Sequence, residues 1–313
     1  MADSFLTLAD LAKVNDKNNW DMGISDLLQD APVLAALAAE GREGTTHKYI
    51  KEVTAPTVGF RAVNTGRFNS KSGDQEVSVD MKLLDCSLAV DVAIADQYHK
   101  GPAAYMAREA IRHLKAGYFQ LEQQILLGVG NESDGFAGLI DNDQLDDLGD
   151  EMVVDGGGSG TDTESVWAIR TGEDLRDMAV ITGMEGNIQI GETITQFIVD
   201  SDGKRYAAYC IPIHAWYCIQ IGGARSVGRL ANIDAGATLN DDKIAKLLAK
   251  FPASRGPSFL AMSREARRQL QDSRTATNST GAPAPFPTEA FGVPIITTDA
   301  ITATETAATT TTA

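Results

Sequence analysis

The sequence predicts an α+β fold, and three stretches carry the prediction. Residues 101–141 read as one long helix that closes in a glycine-rich turn. Before it, Val77, Val79, Met81 and Leu83, then Leu88, Val90, Val92 and Ile94, fall on every second position, the period of strands with one buried face. After it, 165–230 is β-like and holds Trp167, Trp216, Tyr206, Tyr209 and Tyr217 as candidate core residues.

Taken in order, residues 1–46 read as an arm. Leu6, Leu8, Leu11 and Val14 line one short helix; Ile24, Leu27, Leu28, Val33, Leu34 and Leu37 line a second, interrupted at Pro32. The alanine-rich run 31–39 is expected to pack closely, with Gly41 and Gly44 ending it, and nothing here requires a place in a compact core. Residues 47–85 form a long β-hairpin: the strand through Val77–Leu83 is opposed by one through Val58, Phe60 and Ala62, around a polar tip at 64–74. Two-stranded ribbons are marginal in water, so a hairpin this long, with its apolar face through Val77, Val79, Met81 and Leu83, is not expected to bury itself within one subunit.

In the helix, Pro102 suits a first turn. Ala107, Ile111, Leu114, Tyr118, Leu121 and Ile125 make one apolar stripe, and Arg108, Glu109, Arg112, Lys115 and Glu122 are expected to face water. Gly128 and Gly130 stop the helix. Residues 103–127 would span roughly 37 Å, a spine for the whole chain. Beyond it, 142–151 is an acidic loop and 155–160 a glycine loop. Segments 193–199 and 204–211 flank Asp200-Ser201-Asp202-Gly203, a hairpin signal. Asn240 or Asp241 caps a helix ended by Pro252; 258–262 is a strand; Ser263 caps a helix over 264–272; 274–287 is a proline-bearing loop; 291–298 is a strand. The threonine–alanine tail carries little signal.

Composition narrows the function classes. The chain has 313 residues, 43% of them hydrophobic, and no apolar run long enough to cross a bilayer. Forty-three acidic residues against 27 basic ones leave a formal charge of −16, which disfavours adhesion to nucleic acid and favours repulsion between copies. Cys86, Cys210 and Cys218 form no metal or redox spacing and read as reduced thiols made in the cytosol. Gly128-Val129-Gly130 with Gly135 follows a helix and opens none, so it reads as a structural turn rather than a nucleotide loop. Asp141, Asp143, Asp146 and Asp147 fail as a calcium loop, since Asp146 and Met152 stand where glycine and glutamate are needed. His47, His99, His113 and His214 are scattered, and Gly157–Thr161 is not a nucleophile elbow. No catalytic, cofactor-binding or metal residue is assigned, and none of the three kinds is expected.

The order of parts resembles the major capsid protein of tailed bacteriophages. The likeness rests on Glu122-Gln123-Gln124-Ile125-Leu126-Leu127-Gly128 running into Phe136-Ala137-Gly138-Leu139-Ile140, on the strand and helix through Ser258–Leu270, and on Ala290-Phe291-Gly292-Val293-Pro294-Ile295-Ile296-Thr297. The resemblance implies a capsid fold in four parts: an N-terminal arm (1–46), an extended hairpin loop (47–85), a peripheral domain with the spine helix (86–144, helix 101–128) completed by 241–313, and an axial β-rich domain (145–240). It implies hexamers and pentamers of self in an icosahedral shell, assembled in the host cytoplasm around double-stranded DNA without sequence-specific binding and without a membrane. Portal and decoration proteins are implied as partners. With only some 46 residues before the hairpin, a separate scaffolding protein or none is implied. Some relatives cross-link through a hairpin lysine; Lys71 lies at the tip, but no partner asparagine is identifiable, and a solvated lysine is expected. An encapsulin-like compartment shell and an α+β enzyme remain open alternatives at this point.

Overall fold

A computed structural model describes residues 30–310 apart from 55, 69, 99, 173–176, 200–202, 224 and 277–281. The arm helices expected before residue 30, His99 and the Asp200–Asp202 turn lie outside the described residues. In chain order the first half runs α1 (Pro32–Ala36), β1 (Ala38–Gly41), β2 (Thr46–Thr54), β3 (Gly73–Asp80), β4 (Lys82–Asp85), β5 (Leu88–Asp91), α2 (Val92–Ala95) and α3 (Pro102–Leu127). The middle is β6 (Val153–Asp155), β7 (Glu164–Ile169), β8 (Met178–Thr182), β9 (Gln189–Ile190), β10 (Ile194–Val199), β11 (Arg205–Ile211), β12 (Ile213–Ile221) and β13 (Val227–Ile233). Then follow α4 (Asp241–Leu248), β14 (Phe259–Met262), α5 (Arg264–Ala276), β15 (Glu289–Ala290) and β16 (Val293–Thr297).

The strands form a six-stranded sheet in the order β15-β16-β14-β7-β13-β6, a second sheet β1-β8-β12-β4 with β9 on β12, a small sheet β10-β11-β5, and the separate ribbon β2-β3. The six-stranded sheet takes strands from both sides of residue 240, so the segments expected as peripheral and axial share it. Helix α3 packs on two cores. Its first half, through Met106, Ala107, Ala110 and Leu114, meets Leu88, Ile211 and Ile213; its second half, through Leu121, Ile125 and Leu126, enters the main core around Trp167. The expected caps form: Asn240 accepts the Lys243 amide, and Ser263 accepts that of Ala266.

Several expectations change. The strand opposing β3 is Thr46–Thr54, not Val58–Ala62, which lies in the connecting loop. The single strand through 77–83 breaks at Met81, where the chain leaves β2 and pairs with β12 instead. Met81 is buried on Ala179, Ile181 and Cys218 of its own subunit, with Val79 beside it, so only the outer part of that face is left for another chain. Val92 and Ile94 belong to a helical turn, because the Asp91 side chain accepts the Ala93 amide and starts it. Tyr206 is exposed rather than core. The arm is not wholly loose: Ala31, Val33 and Leu37 are buried, and β1 pairs in parallel with β8.

Glu122 departs furthest from expectation. It is fully buried; one carboxylate oxygen accepts the Leu34 amide at 2.8 Å and the other accepts the Thr298 hydroxyl. Short helix α1 has no cap of its own, so a carboxylate from the spine takes up its free amides. One side chain thereby joins residues 88 and 176 positions away in sequence. Burial pushes its carboxyl above the usual glutamate range, partly offset by the bonds from Thr298 and from the Leu34 and Val33 amides.

A second buried cluster pins the C-terminal tail. Arg229 donates to Glu305 at 3.0 Å, to Ser165 at 2.9 Å and to the Leu145 carbonyl at 3.0 Å, with its guanidinium 5.4 Å from the Trp167 ring. Asp177 forms a third, held between Arg170 at 2.6 Å and Arg255 at 2.7 Å.

Three outcomes are expected. Glu122→Ala strands the Leu34 amide and the Thr298 hydroxyl, and should cost about 2–3 kcal/mol in urea denaturation, with faster amide exchange at 33–38. Because the folded-state pKa of Glu122 lies above the unfolded one, its contribution is complete below the unfolded pKa and declines as pH rises through the folded value. The natural chain should therefore lose stability relative to Glu122→Gln between acid and neutral pH; the reverse trend would contradict the assignment. Arg229→Met alone should cost about 3–5 kcal/mol by leaving Glu305 buried and unpaired, and adding Glu305→Leu should recover much of that loss.

Candidate assembly surface

The ribbon β2–β3 is fastened at its base and free at its tip. Near the base, buried His47 meets the Gln220 side chain at 2.5 Å and stacks on Tyr49 with centroids 5.6 Å apart. Lys51 donates to Gln144 at 2.7 Å, which ties the ribbon to the acidic loop after α3. Burial raises the Tyr49 phenol above its usual range. Past this point the loop 56–72 bonds only to itself among the described residues. Ser70 accepts the Thr57 amide, and Arg61 and Arg67 donate to the Thr65 and Thr57 carbonyls.

The composition of that loop is opposite to that of the chain. Residues 56–72 contain Arg61, Arg67 and Lys71 and no acidic residue, in a chain of net charge −16. None of the three cations has a carboxylate partner among the described residues. Phe60 and Phe68 are 107% and 98% exposed, and Val58 and Val63 are each 86% exposed. Burying one such side chain is worth about 1.5–3 kcal/mol, so a free tip holds a large unused driving force for association. Scattered exposed apolar residues are ordinary; four in one short basic loop are not.

The end of the spine is built for rigidity. Gly128 ends α3 at φ 55°, ψ −139°, a conformation closed to other residues. The chain then turns back so closely that a Cβ on Gly138 would lie 2.5 Å from the Gln124 carbonyl oxygen and the Gly128 nitrogen. Asp141 accepts the Val129 and Gly138 amides at 2.8 and 2.9 Å. Gln124 is buried and donates to the Phe136 carbonyl at 2.7 Å. The glycines form the structural turn expected of them, and Asp141, expected in a solvated acidic loop, instead latches that turn by accepting two of its amides.

Between this latch, α3 and β4 runs a groove of about 710 Å³. Asp85, Glu109, Glu132 and Asp134 line it against Lys82 and Arg112, with Leu83 and Phe136 on its apolar part. Glu109 is engaged by Arg112 at 2.8 Å, and Glu132 accepts from Gln120 at 3.0 Å. Asp134 is exposed and unpaired among the described residues. A second recess on α3, about 670 Å³, is lined by Arg112, Lys115 and Arg264 with Asp30 and Asp299.

Among the described residues no hydrogen bond joins a histidine to a cysteine, although His113 and Cys86 both line the groove. His47 bonds Gln220, His214 bonds Gln189, and His113 lies on the spine at the groove. The three thiols are unpaired to one another, and burial pushes Cys86 up to about 11 and Cys218 up to about 12, the range of unreactive thiols. Among the described residues no cluster of three metal-ligating side chains occurs, and no helix is long and apolar enough to cross a membrane. Sequence reasoning missed the buried partners Glu122 and Glu305. Glu122 had a local signal in the short polar segment through Gln120, Glu122 and Gln124, whereas Glu305 had none in its threonine–alanine surroundings.

A family model described as major capsid protein GP7 matches residues 22–309. No curated protein matches the chain. Among solved structures, that of bacteriophage Epsilon15 is similar at TM-score 0.63 and 18% identity, covering 98% of this chain and 98% of the other. The bacteriophage JBD30 capsid is similar at TM-score 0.51 and 13% identity, covering 89% of this chain and 94% of the other. These likenesses concern the fold, while the family match spans nearly the whole sequence and selects the phage shell over the encapsulin and enzyme alternatives. The chain belongs to the major capsid protein GP7 family, structural proteins of the tailed-phage icosahedral shell.

Proposed function

We propose that this shell protein assembles as hexamers and pentamers in which the β2–β3 ribbon of each subunit lies over a neighbouring copy, around double-stranded DNA. The observation that carries the reading is the contrast along the ribbon: a base bolted to its own subunit through His47 and Lys51, and an apolar, basic tip that none of the described residues covers. A standard protein interface buries on the order of 800 Å² per partner, and a ribbon of this length can supply much of it. The acid excess supports a wall that does not hold on to its DNA, because neutralising phosphates takes lysine and arginine. A portal and decoration proteins, with a separate scaffolding protein or none, are the further partners of this reading, and the peripheral and axial parts (86–144 with 241–313, and 145–240) are its working division of the subunit.

Deleting 67–73 tests it. The deleted residues are polar or exposed apart from Gly73 at the very start of β3, so circular dichroism and thermal melting of the subunit should be unchanged within about 1 kcal/mol. Closed particles should fail to form, or should break at lower denaturant than natural ones. Particles of natural yield and strength would sink the proposal.

A further inference from the structure

We infer that the C-terminal segment 302–308 is a proton-controlled strap, fastened while the buried carboxylates Glu164 and Glu305 hold one proton between them and loosened when both are ionised. The strap lies across the start of β7. The Thr163 amide and hydroxyl donate to the Glu305 carbonyl at 3.2 and 2.9 Å, and the Glu305 amide donates to the Thr163 carbonyl at 3.0 Å. Farther on, the Ala307 amide donates to the Gly160 carbonyl at 2.8 Å. The Asn232 side chain accepts the Ala308 amide at 2.8 Å and donates to the Ala308 carbonyl at 3.0 Å. Little apolar burial backs these bonds: 302–304 and 306 are exposed, and Ala307 and Ala308 are half-buried. Within 302–308 only the Glu305 side chain is buried, so the strap depends on that carboxylate.

Charge around Glu305 does not balance. One carboxylate oxygen accepts from Ser165 at 2.5 Å and from Arg229 at 3.0 Å; the other is buried with no hydrogen-bond partner among the described residues. Glu164, the neighbour of Ser165 on β7, is also buried; it accepts the Ser263 hydroxyl and lies within electrostatic reach of Glu305. The elements packed here add no second buried cation. Strand β13 supplies Arg229, α5 supplies Glu265, which Arg268 engages at the surface, and the acidic loop turns the Leu145 carbonyl toward Arg229. Two buried carboxylates therefore share one guanidinium, and an uncompensated buried charge is relieved by taking up a proton or by opening to water. Burial pushes both carboxyls above the usual glutamate range; the Glu305 and Glu265 charges add to this at Glu164, while Arg229 and Ser165 offset part of it at Glu305. A buried ion pair often fastens no better than an apolar side chain of similar size, so response to protons explains this carboxylate where strength does not. With both folded-state values above the unfolded ones, the fastening is complete below the unfolded glutamate value and declines as pH rises through the folded values.

Amide exchange in full-length subunits tests the strap, with each rate corrected for the intrinsic pH dependence of exchange. Between about pH 5 and about pH 9, protection of the Glu305 and Ala307 amides in the natural chain should fall at least about tenfold. Throughout, the Leu230 amide inside the six-stranded sheet should keep at least about tenfold more protection than that of Ala307. Glu164→Gln leaves a group that Ser263 can bond but that cannot ionise, and should hold strap protection level within about threefold over the same range. Glu305→Gln removes the other ionisable group and should level the profile as well, so the result does not hang on one variant folding. A natural chain whose strap protection stays level, or variants that lose it as steeply as the natural chain, would overturn the inference. Equal protection of Leu230 and Ala307 at every pH would do so too, because opening would then be global.

Discussion

A single buried carboxylate holds the two ends of this chain to its middle. Glu122 sits on the spine helix and accepts a backbone amide from the arm and a hydroxyl from the strand end near the C-terminus. A charge in that position is costly unless hydrogen-bonded, and the raised pKa records the cost. Satisfying it requires α1 and the end of β16 to be in place at once, which makes the site all-or-none. The same logic governs Arg229 and Glu305, through which a tail of threonine and alanine becomes part of the core. These buried bonds tie segments far apart in sequence rigidly to the body around α3.

That rigidity gives the ribbon its meaning. A ribbon attached to a mobile base would present its tip in many places and pay the ordering entropy on contact. Here the base is locked by His47, Tyr49 and Lys51, so the apolar, basic loop is offered in a defined direction. Stability inside the subunit and readiness for contact outside it are divided along one element, with Met81 and Val79 on the inner side and Phe60 and Phe68 on the outer.

Much of this was legible in the sequence, and the failures have physical causes. The spine helix, its glycine stop, the caps at Asn240 and Ser263 and the late strands follow from periodicity and capping chemistry, which are local. The partner of β3 was misplaced because Thr46–Thr54 alternates weakly: its inward residues include His47 and Tyr49, whose burial depends on Gln220 and Ile221, far along the chain. Val58, Phe60 and Ala62 alternate without being a strand, since they stand exposed among the described residues and pair with no strand there. Glu122 was assigned to solvent because a helical wheel knows only one buried face, and the arm covers a second one from outside. The fastening at Glu305 depends on a side chain 76 residues earlier, Arg229, and no window of the sequence contains both.

The central claim is that the ribbon is stable at its base within the subunit and becomes covered at its tip only in the shell. Amide hydrogen exchange, compared between free subunits and closed particles, addresses it directly. The account predicts that the amides of Tyr49 and its β3 partner Val77 are protected in both states, while those of 56–72 exchange freely in subunits and become protected in particles. Equal exchange of 56–72 in the two states would show that the tip remains uncovered in the shell and would contradict the account.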